Sequence, residues 1–284
     1  MSHKAKQPPN PSDLPVIQES ANAVDGHWTL SFGAYTEQGG RLRNEDNFCI
    51  FDDFACVSDG IGGAEHGDVM SKLACSIMRD EWEALAKDDL DAESRMREAF
   101  AKTDAFLTKV SQGLGGGPGA TLVATARMGD QLIFGSVGDS RAYVFLDTGL
   151  SPVFEESGRV YEDGNTLSAA MGYNMFSGDK SAANILTIPV AAGLKLLLCT
   201  DGVWSVLAKA DMEDVINDGD LSWPIARQLV GRAVTNGGLG GDNATALVGV
   251  ITREAWEVNP EKTPLAPSCE PPFEIMEDRL WTIE

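Results

Sequence analysis

Positive charge is in short supply: 22 Lys and Arg stand against 43 Asp and Glu, a net charge of −21 over 284 residues. A field of that sign repels nucleic acid and anionic lipid, both of which need Lys and Arg to neutralise them. Neither a nucleic-acid partner nor a membrane surface is therefore expected. Cysteine is scarce as well, with Cys49, Cys56, Cys75, Cys199 and Cys269 in an odd count and no C-x-x-C pair. That excludes a disulfide framework and points to a reducing compartment, hence the cytoplasm. Long hydrophobic runs are missing: nothing is long enough to span a bilayer, and Met1 to Asn22 has no apolar core of the signal-peptide kind.

What is present is a repeated pattern at the ends of short apolar runs. Phe54 to Val57 leads into Ser58-Asp59-Gly60-Ile61-Gly62-Gly63, and Phe134 to Val137 into Gly138-Asp139. Leu196 to Cys199 leads into Thr200-Asp201-Gly202, and Gly241-Asp242-Asn243 leads into Ala244 to Ile251. Such runs read as buried strands. A lone Asp beside Gly is usually a turn, but at the ends of buried strands Asp59, Asp139, Asp201 and Asp242 suggest one shared site for hard cations. On an acidic chain, a phosphorylated anion needs bound metal to reverse the local charge.

The chain order predicts a layered fold. Residues 1–26, with Pro8, Pro9, Pro11 and Pro15, read as a disordered extension, and residues 254–284 as an acidic, Pro-rich one. Between them, residues 27–253 form the expected catalytic domain. Strands are predicted over 28–36, 48–51, 54–57, 121–128, 131–137, 142–146, 186–190, 195–199 and 244–251. Helices are predicted over 65–85, with Val69, Leu73, Ile77 and Leu85 at helix spacing, and after Asp91 as N-cap, with Met96, Phe100, Thr103, Leu107 and Val110 inward. Two more are predicted over 211–217 and over 222–234 with Ser222 as N-cap, while 147–183 reads as the least regular part. Without regular βαβα alternation, an antiparallel α+β domain is favoured over a doubly wound fold.

The acids suit a particular chemistry. Mg²⁺ and Mn²⁺ prefer carboxylate, carbonyl and water oxygens. Two such ions about 4 Å apart generate hydroxide from water at neutral pH and clamp a phosphoryl group for in-line attack. Asp59 with the Gly60 carbonyl suits the bridging position, and Asp201 and Asp242 the terminal ones.

Six stretches resemble, in order, the signatures of the metal-dependent protein phosphatases of type 2C. They are Arg41-Leu42-Arg43-Asn44-Glu45-Asp46, Ser58 to Gly63, Gly119-Ala120-Thr121, Val137-Gly138-Asp139-Ser140-Arg141, Cys199 to Trp204, and Gly241 to Thr245. The resemblance runs from about Trp28 to Ile251 and implies an antiparallel β-sandwich flanked by antiparallel helix pairs, in α-β-β-α layers. It implies that Asp59, Gly60, Asp201 and Asp242 hold two Mn²⁺ or Mg²⁺ ions, with Asp139 and Asp201 holding an optional third. It implies further that Arg41 grips the substrate phosphate, that Glu45, Asp46 and Asn243 act behind the ligands or hold water, and that phosphoserine and phosphothreonine on proteins are hydrolysed without a phosphoenzyme.

The sequence departs from that pattern twice. Many bacterial relatives have histidine directly after the glycines; here Ala64 stands there and His66 is the nearest candidate proton donor, or simply a residue of the first helix turn. The flap between Phe145 and Leu167 is short and lacks a histidine. By analogy, a trimmed flap suggests a phosphatase dedicated to one Ser/Thr kinase pathway, such as those of type VI secretion, working as a monomer. The alternative is a catalytically weak module of the same fold that binds phosphoproteins. A metal-dependent nuclease is disfavoured by the charge.

Overall fold

A computed structural model of the chain describes residues 28–61, 66–154, 170–176 and 183–253. Its strands follow the apolar runs: β1 (Trp28–Glu37), β2 (Asp46–Phe51), β3 (Phe54–Ile61), β4 (Gly119–Ala120), β5 (Leu122–Met128), β6 (Gln131–Val137), β7 (Arg141–Leu146), β8 (Gly149–Pro152), β9 (Asn184–Pro189), β10 (Lys195–Cys199) and β11 (Ala244–Arg253). The helices are α1 (Gly67–Ala84), α2 (Ala92–Gly113), α3 (Asp201–Trp204), α4 (Lys209–Asp218) and α5 (Ser222–Gly237).

The strands form two antiparallel sheets. One runs β1-β11-β10-β7-β8 and the other β2-β3-β5-β6-β9, with β4 on β3. Between the sheets lies an apolar layer that includes Leu30, Val57, Val123, Phe134, Leu196 and Leu247. The outer face of the second sheet is covered by α1 and α2 through Met70, Met78, Phe100 and Leu107. The outer face of the first is covered by α4 and α5 through Met212, Val215, Leu229 and Val230. Strands buried on both faces carry continuous apolar runs, which is why Leu196-Leu197-Leu198 and Ala244 to Ile251 lack polar alternation. The expected α-β-β-α layering holds.

Several details differ from expectation. β3 runs past Val57 to Ile61, because Asp59 pairs with Asp46 and Gly60 with Ala120. Asp59 is therefore inside a strand, not beyond its end. The inward face of α1 is Met70, Ala74, Cys75, Met78 and Trp82, and Val69 is 40% exposed. Of the predicted series, Leu85 is buried and Leu73 packs partly buried against the same core, so the helix is turned only part of the way toward Met70, Ala74, Met78 and Trp82. Asp91 caps α2 as predicted: its carboxylate accepts the Ser94 N–H at 2.8 Å. For α5 the cap is Leu221, in extended backbone, and Ser222 already belongs to the helix. Within the stretch read as irregular, β8 pairs with β7 across the two-residue turn at Asp147-Thr148. Most of the expected trimmed flap, both expected extensions, and Gly62, Gly63 and Ala64 lie outside the described residues.

Candidate metal centre

The acids converge at one end of the sandwich because both sheets deliver them there. From the second sheet come Asp46 and Asp59, directly opposite each other on β2 and β3. From the first come Asp201, which follows β10 and opens α3, and Asp242, two residues before β11. Asp139 sits in the crossover from β6 to β7, between the two sheets.

Hydrogen bonds hold this end rigid. The Asp46 carboxylate accepts the Thr200 hydroxyl at 2.8 Å, and Thr200 Oγ1 accepts the Thr245 N–H at 3.0 Å. The Asp59 N–H donates to Thr121 Oγ1 at 2.8 Å, and Thr121 N–H donates to the Asp59 carbonyl at 2.8 Å. Thr121 Oγ1 also meets Ser140 Oγ at 2.7 Å, which ties Asp59 to the loop carrying Asp139. Asn243 knots the first-sheet end to the loop after β1. Its Oδ1 accepts the Glu45 N–H at 2.8 Å, and its Nδ2 donates to the carbonyls of Gln38 at 2.7 Å and Arg43 at 2.8 Å.

Two glycines are required by close approach. A Cβ on Gly60 would stand 2.1 Å from the Gly67 carbonyl oxygen, and one on Gly202 would stand 1.9 Å from that of Asn243. Both are backbone atoms with no room to yield. The Glu45 carboxylate lies against Gly67 in the first turn of α1, where a negative charge complements the helix dipole. His66 precedes that turn with a left-handed φ of 74°, an uncommon conformation for a residue other than glycine.

The cluster is short of positive charge. Burial, with Asp201 and Asp242 nearby, pushes Asp46 up to about 7. Burial, with Asp139 and Asp242 nearby, pushes Asp201 up to about 6. Asp59 is raised well above the carboxylate range by burial first and then by Asp46, Asp201, Asp139 and Asp242. Asp46 Oδ1 and Asp201 Oδ1 are buried without a hydrogen-bond partner, a costly state for an acceptor. One cation reaches in from the surface: Arg41 donates to Asp242 Oδ2 at 2.6 Å, with both side chains partly exposed.

These residues fit hard divalent cations. The donors are all oxygens, several carry unspent acceptor capacity, and their mutual repulsion is relieved by added positive charge. Among the described residues no three His, Cys, Asp or Glu side chains gather tightly enough to close around one ion. Hydrated Mg²⁺ needs no such cage, since it takes one or two carboxylates and keeps several waters.

The structure thus brings together Asp46, Asp59, Gly60, Asp139, Asp201, Asp242, Asn243, Glu45 and Arg41, all anticipated from sequence. It gives a task to Thr121 and Thr200, which lie inside two of the six motif stretches but were assigned no role there. On α2 a further buried carboxylate, Asp104, has a structural task instead: it accepts the N–H groups of Gly172 at 2.7 Å and Met175 at 2.6 Å. Its signal was an acid on the inward face between Phe100 and Leu107.

Residues 40–228, more than half of the chain, match the family model described as Protein phosphatase 2C. The serine/threonine phosphatase stp of Listeria welshimeri is 27% identical over 236 residues, covering 74% of this chain and 91% of the relative. The catalytic domain of the serine/threonine protein phosphatase PstP, solved with two manganese ions, superposes with a TM-score of 0.67 at 21% identity, covering 80% of this chain and all of that one. PppA, a key regulatory component of T6SS in Pseudomonas aeruginosa, superposes with a TM-score of 0.65 at 24% identity, covering 79% of this chain and 98% of that one.

Proposed function

The chain belongs to the protein phosphatase 2C family, and from that premise we propose which of its residues carry out the reaction of a metal-dependent serine/threonine phosphoprotein phosphatase. The single observation that supports the assignment is the gathering of mutually repelling carboxylates, buried Asp46 opposite half-buried Asp59 with half-buried Asp201 beside them, two of whose buried oxygens have no hydrogen-bond partner.

Asp59, the Gly60 carbonyl, Asp201 and Asp242 would hold two Mn²⁺ or Mg²⁺ ions. Asp139, with Asp201, serves an optional third ion. Bound there, the ions supply a nucleophile at neutral pH and neutralise charge on the phosphoryl oxygens. Arg41 orients the phosphate. A planar guanidinium suits two phosphate oxygens, and its present bond to Asp242 places it at the mouth of the site. Asp46, carrying the Thr200 hydrogen bond on one oxygen, has its other oxygen unspent and would orient water at the occupied site. Asn243 and Glu45 hold the loop that bears Arg41 in register with Asp242.

Residues 27–253 form the catalytic domain, which fits the described body, and the two ends are extensions to it. The protein acts as a cytoplasmic monomer. Likeness to PppA supports a place in one Ser/Thr kinase pathway of the type VI secretion kind.

Manganese-dependent hydrolysis of a phosphothreonine peptide tests the assignment. Asp201→Asn is expected to lower kcat by about 10²-fold or more and to weaken Mn²⁺ binding in calorimetry. Full activity in that variant, or no hydrolysis by the wild-type protein with manganese, overturns it.

A further inference from the structure

Three of the cysteines meet on one side of the second sheet, away from the acids. Cys49 on β2 and Cys56 on β3 are directly opposite each other in an antiparallel pair, so their side chains share a face. That face is the one covered by α1, where Cys75 packs, and the Cys56 Sγ approaches the Cys75 carbonyl at 3.8 Å. All three are thiols. Residues directly opposite in such a pair have Cα atoms about 4.5–5.5 Å apart, within the roughly 4.4–6.8 Å that a disulfide spans.

We propose that Cys49 and Cys56 form a reversible peroxide-driven disulfide that twists the β2–β3 pair and so lowers activity at the acidic end. Cys49 is the thiol oxidised first. It is half-buried, whereas Cys56 and Cys75 are enclosed at 0% and 2% exposure. The Arg79 guanidinium, fixed on Asp80 at 2.6 and 2.9 Å, also interacts with Cys49, and a nearby cation favours the thiolate. Burial pushes the Cys56 thiol up, which suits it to the second step only.

The steps balance. The Cys49 thiolate attacks one oxygen of hydrogen peroxide, the O–O bond breaks, and a sulfenic acid and hydroxide form. Cys56 then attacks that sulfur. An S–S bond replaces the S–O bond, and the sulfenic oxygen leaves as water with the Cys56 proton. Each sulfur loses one electron, and peroxide accepts both.

The link lies three residues from Asp46 on β2 and three from Asp59 on β3, so a change in local twist moves both carboxylates. This coupling rests on the phosphatase reading of the site; the crosslink itself does not.

The test uses the full chain as a Cys269→Ser protein, so that the remaining thiols are the described ones. It is treated with hydrogen peroxide, capped with N-ethylmaleimide under denaturation and weighed intact. Two fewer adducts per chain are expected, restored by dithiothreitol, with peptide mapping joining Cys49 to Cys56. Cys49→Ser and Cys49→Ala are expected to abolish the link, and Cys199→Ser to leave it. Manganese-dependent aryl phosphate hydrolysis is expected to fall about tenfold on oxidation, as a small misplacement of reacting groups can produce, and to recover on reduction. The Cys49 variants keep their activity through the same treatment. Full capping of Cys49, a Cys56–Cys75 link instead, or a crosslinked protein of undiminished activity overturns the proposal. A reduced protein without any hydrolysis, but with the expected crosslink, refutes the phosphatase assignment and leaves the disulfide standing.

Discussion

At the residue scale, Arg41 and Asp242 make a sharp test of the site. Arg41 holds Asp242 Oδ2 at 2.6 Å, an oxygen that a metal ion would also claim. Arg41→Ala is expected to raise KM for a phosphopeptide and lower kcat/KM by about 10–100-fold, as loss of a charged phosphate contact does. Mn²⁺ affinity is expected to hold or rise, because Asp242 is released. Kinetics and calorimetry on one sample separate the two effects; lost metal affinity with unchanged KM would reduce Arg41 to a brace for Asp242. Legibility at this scale was uneven. Asp59, Asp201 and Asp242 could be read because glycine beside a buried strand is a local signal. The task of Thr200 could not, because its partner Asp46 is 154 residues away. Asp104 hid in the same way, its partners lying 68 and 71 residues on, in a segment without regular pattern.

At the scale of elements, β3, α3 and the loop before β11 depend on contacts between backbones. Gly202→Ala pushes a methyl into the Asn243 carbonyl at 1.9 Å. Such overpacking costs about 1–3 kcal/mol, and here it moves Asp201 and Asp242 together. We expect a lower melting temperature and at least tenfold weaker Mn²⁺ binding, measured by thermal unfolding with and without metal; unchanged binding would detach Gly202 from the site. Asn243→Ala removes three hydrogen bonds at roughly 1 kcal/mol each, again visible in melting. Strands β3, β5, β6, β10 and β11 were legible because they are buried on both faces and therefore apolar over most of their length, whereas short β8 was not. Their limits were not: β3 extends through Asp59 and Gly60 because β2 and β4 happen to flank it, and pairing partners leave no local trace. On α1 two apolar series compete, and only the sheet below decides between them.

Across the whole molecule, the net charge of −21 and the acids at one end work against folding when no metal is bound. Asp46 is raised from 3.8 to about 7 and Asp201 from 3.8 to about 6. The folded state therefore holds more protons than the unfolded state between about pH 4 and pH 7, and stability falls as pH rises through that window. After treatment with a chelator, the melting temperature should drop steadily from pH 4.5 to pH 7.5. With saturating Mn²⁺ the trend should flatten or reverse, since ions that displace those protons bind better as pH rises. A chelated protein whose stability climbs over the same range would show that these carboxylates are not held protonated by burial.

Among the described residues the two sheets share no ladder of hydrogen bonds, and each brings part of the acidic set: Asp46 and Asp59 from one, Asp201 and Asp242 from the other. What sets the spacing between these pairs is the apolar layer through Val57, Val123, Leu196 and Leu247. That layer is in effect a spacer whose thickness gauges the distance between charges. A methyl group lost or gained there, far from any ligand oxygen, would be transmitted as a sliding of one sheet over the other, and the property it would retune is which ion fits rather than whether the chain folds.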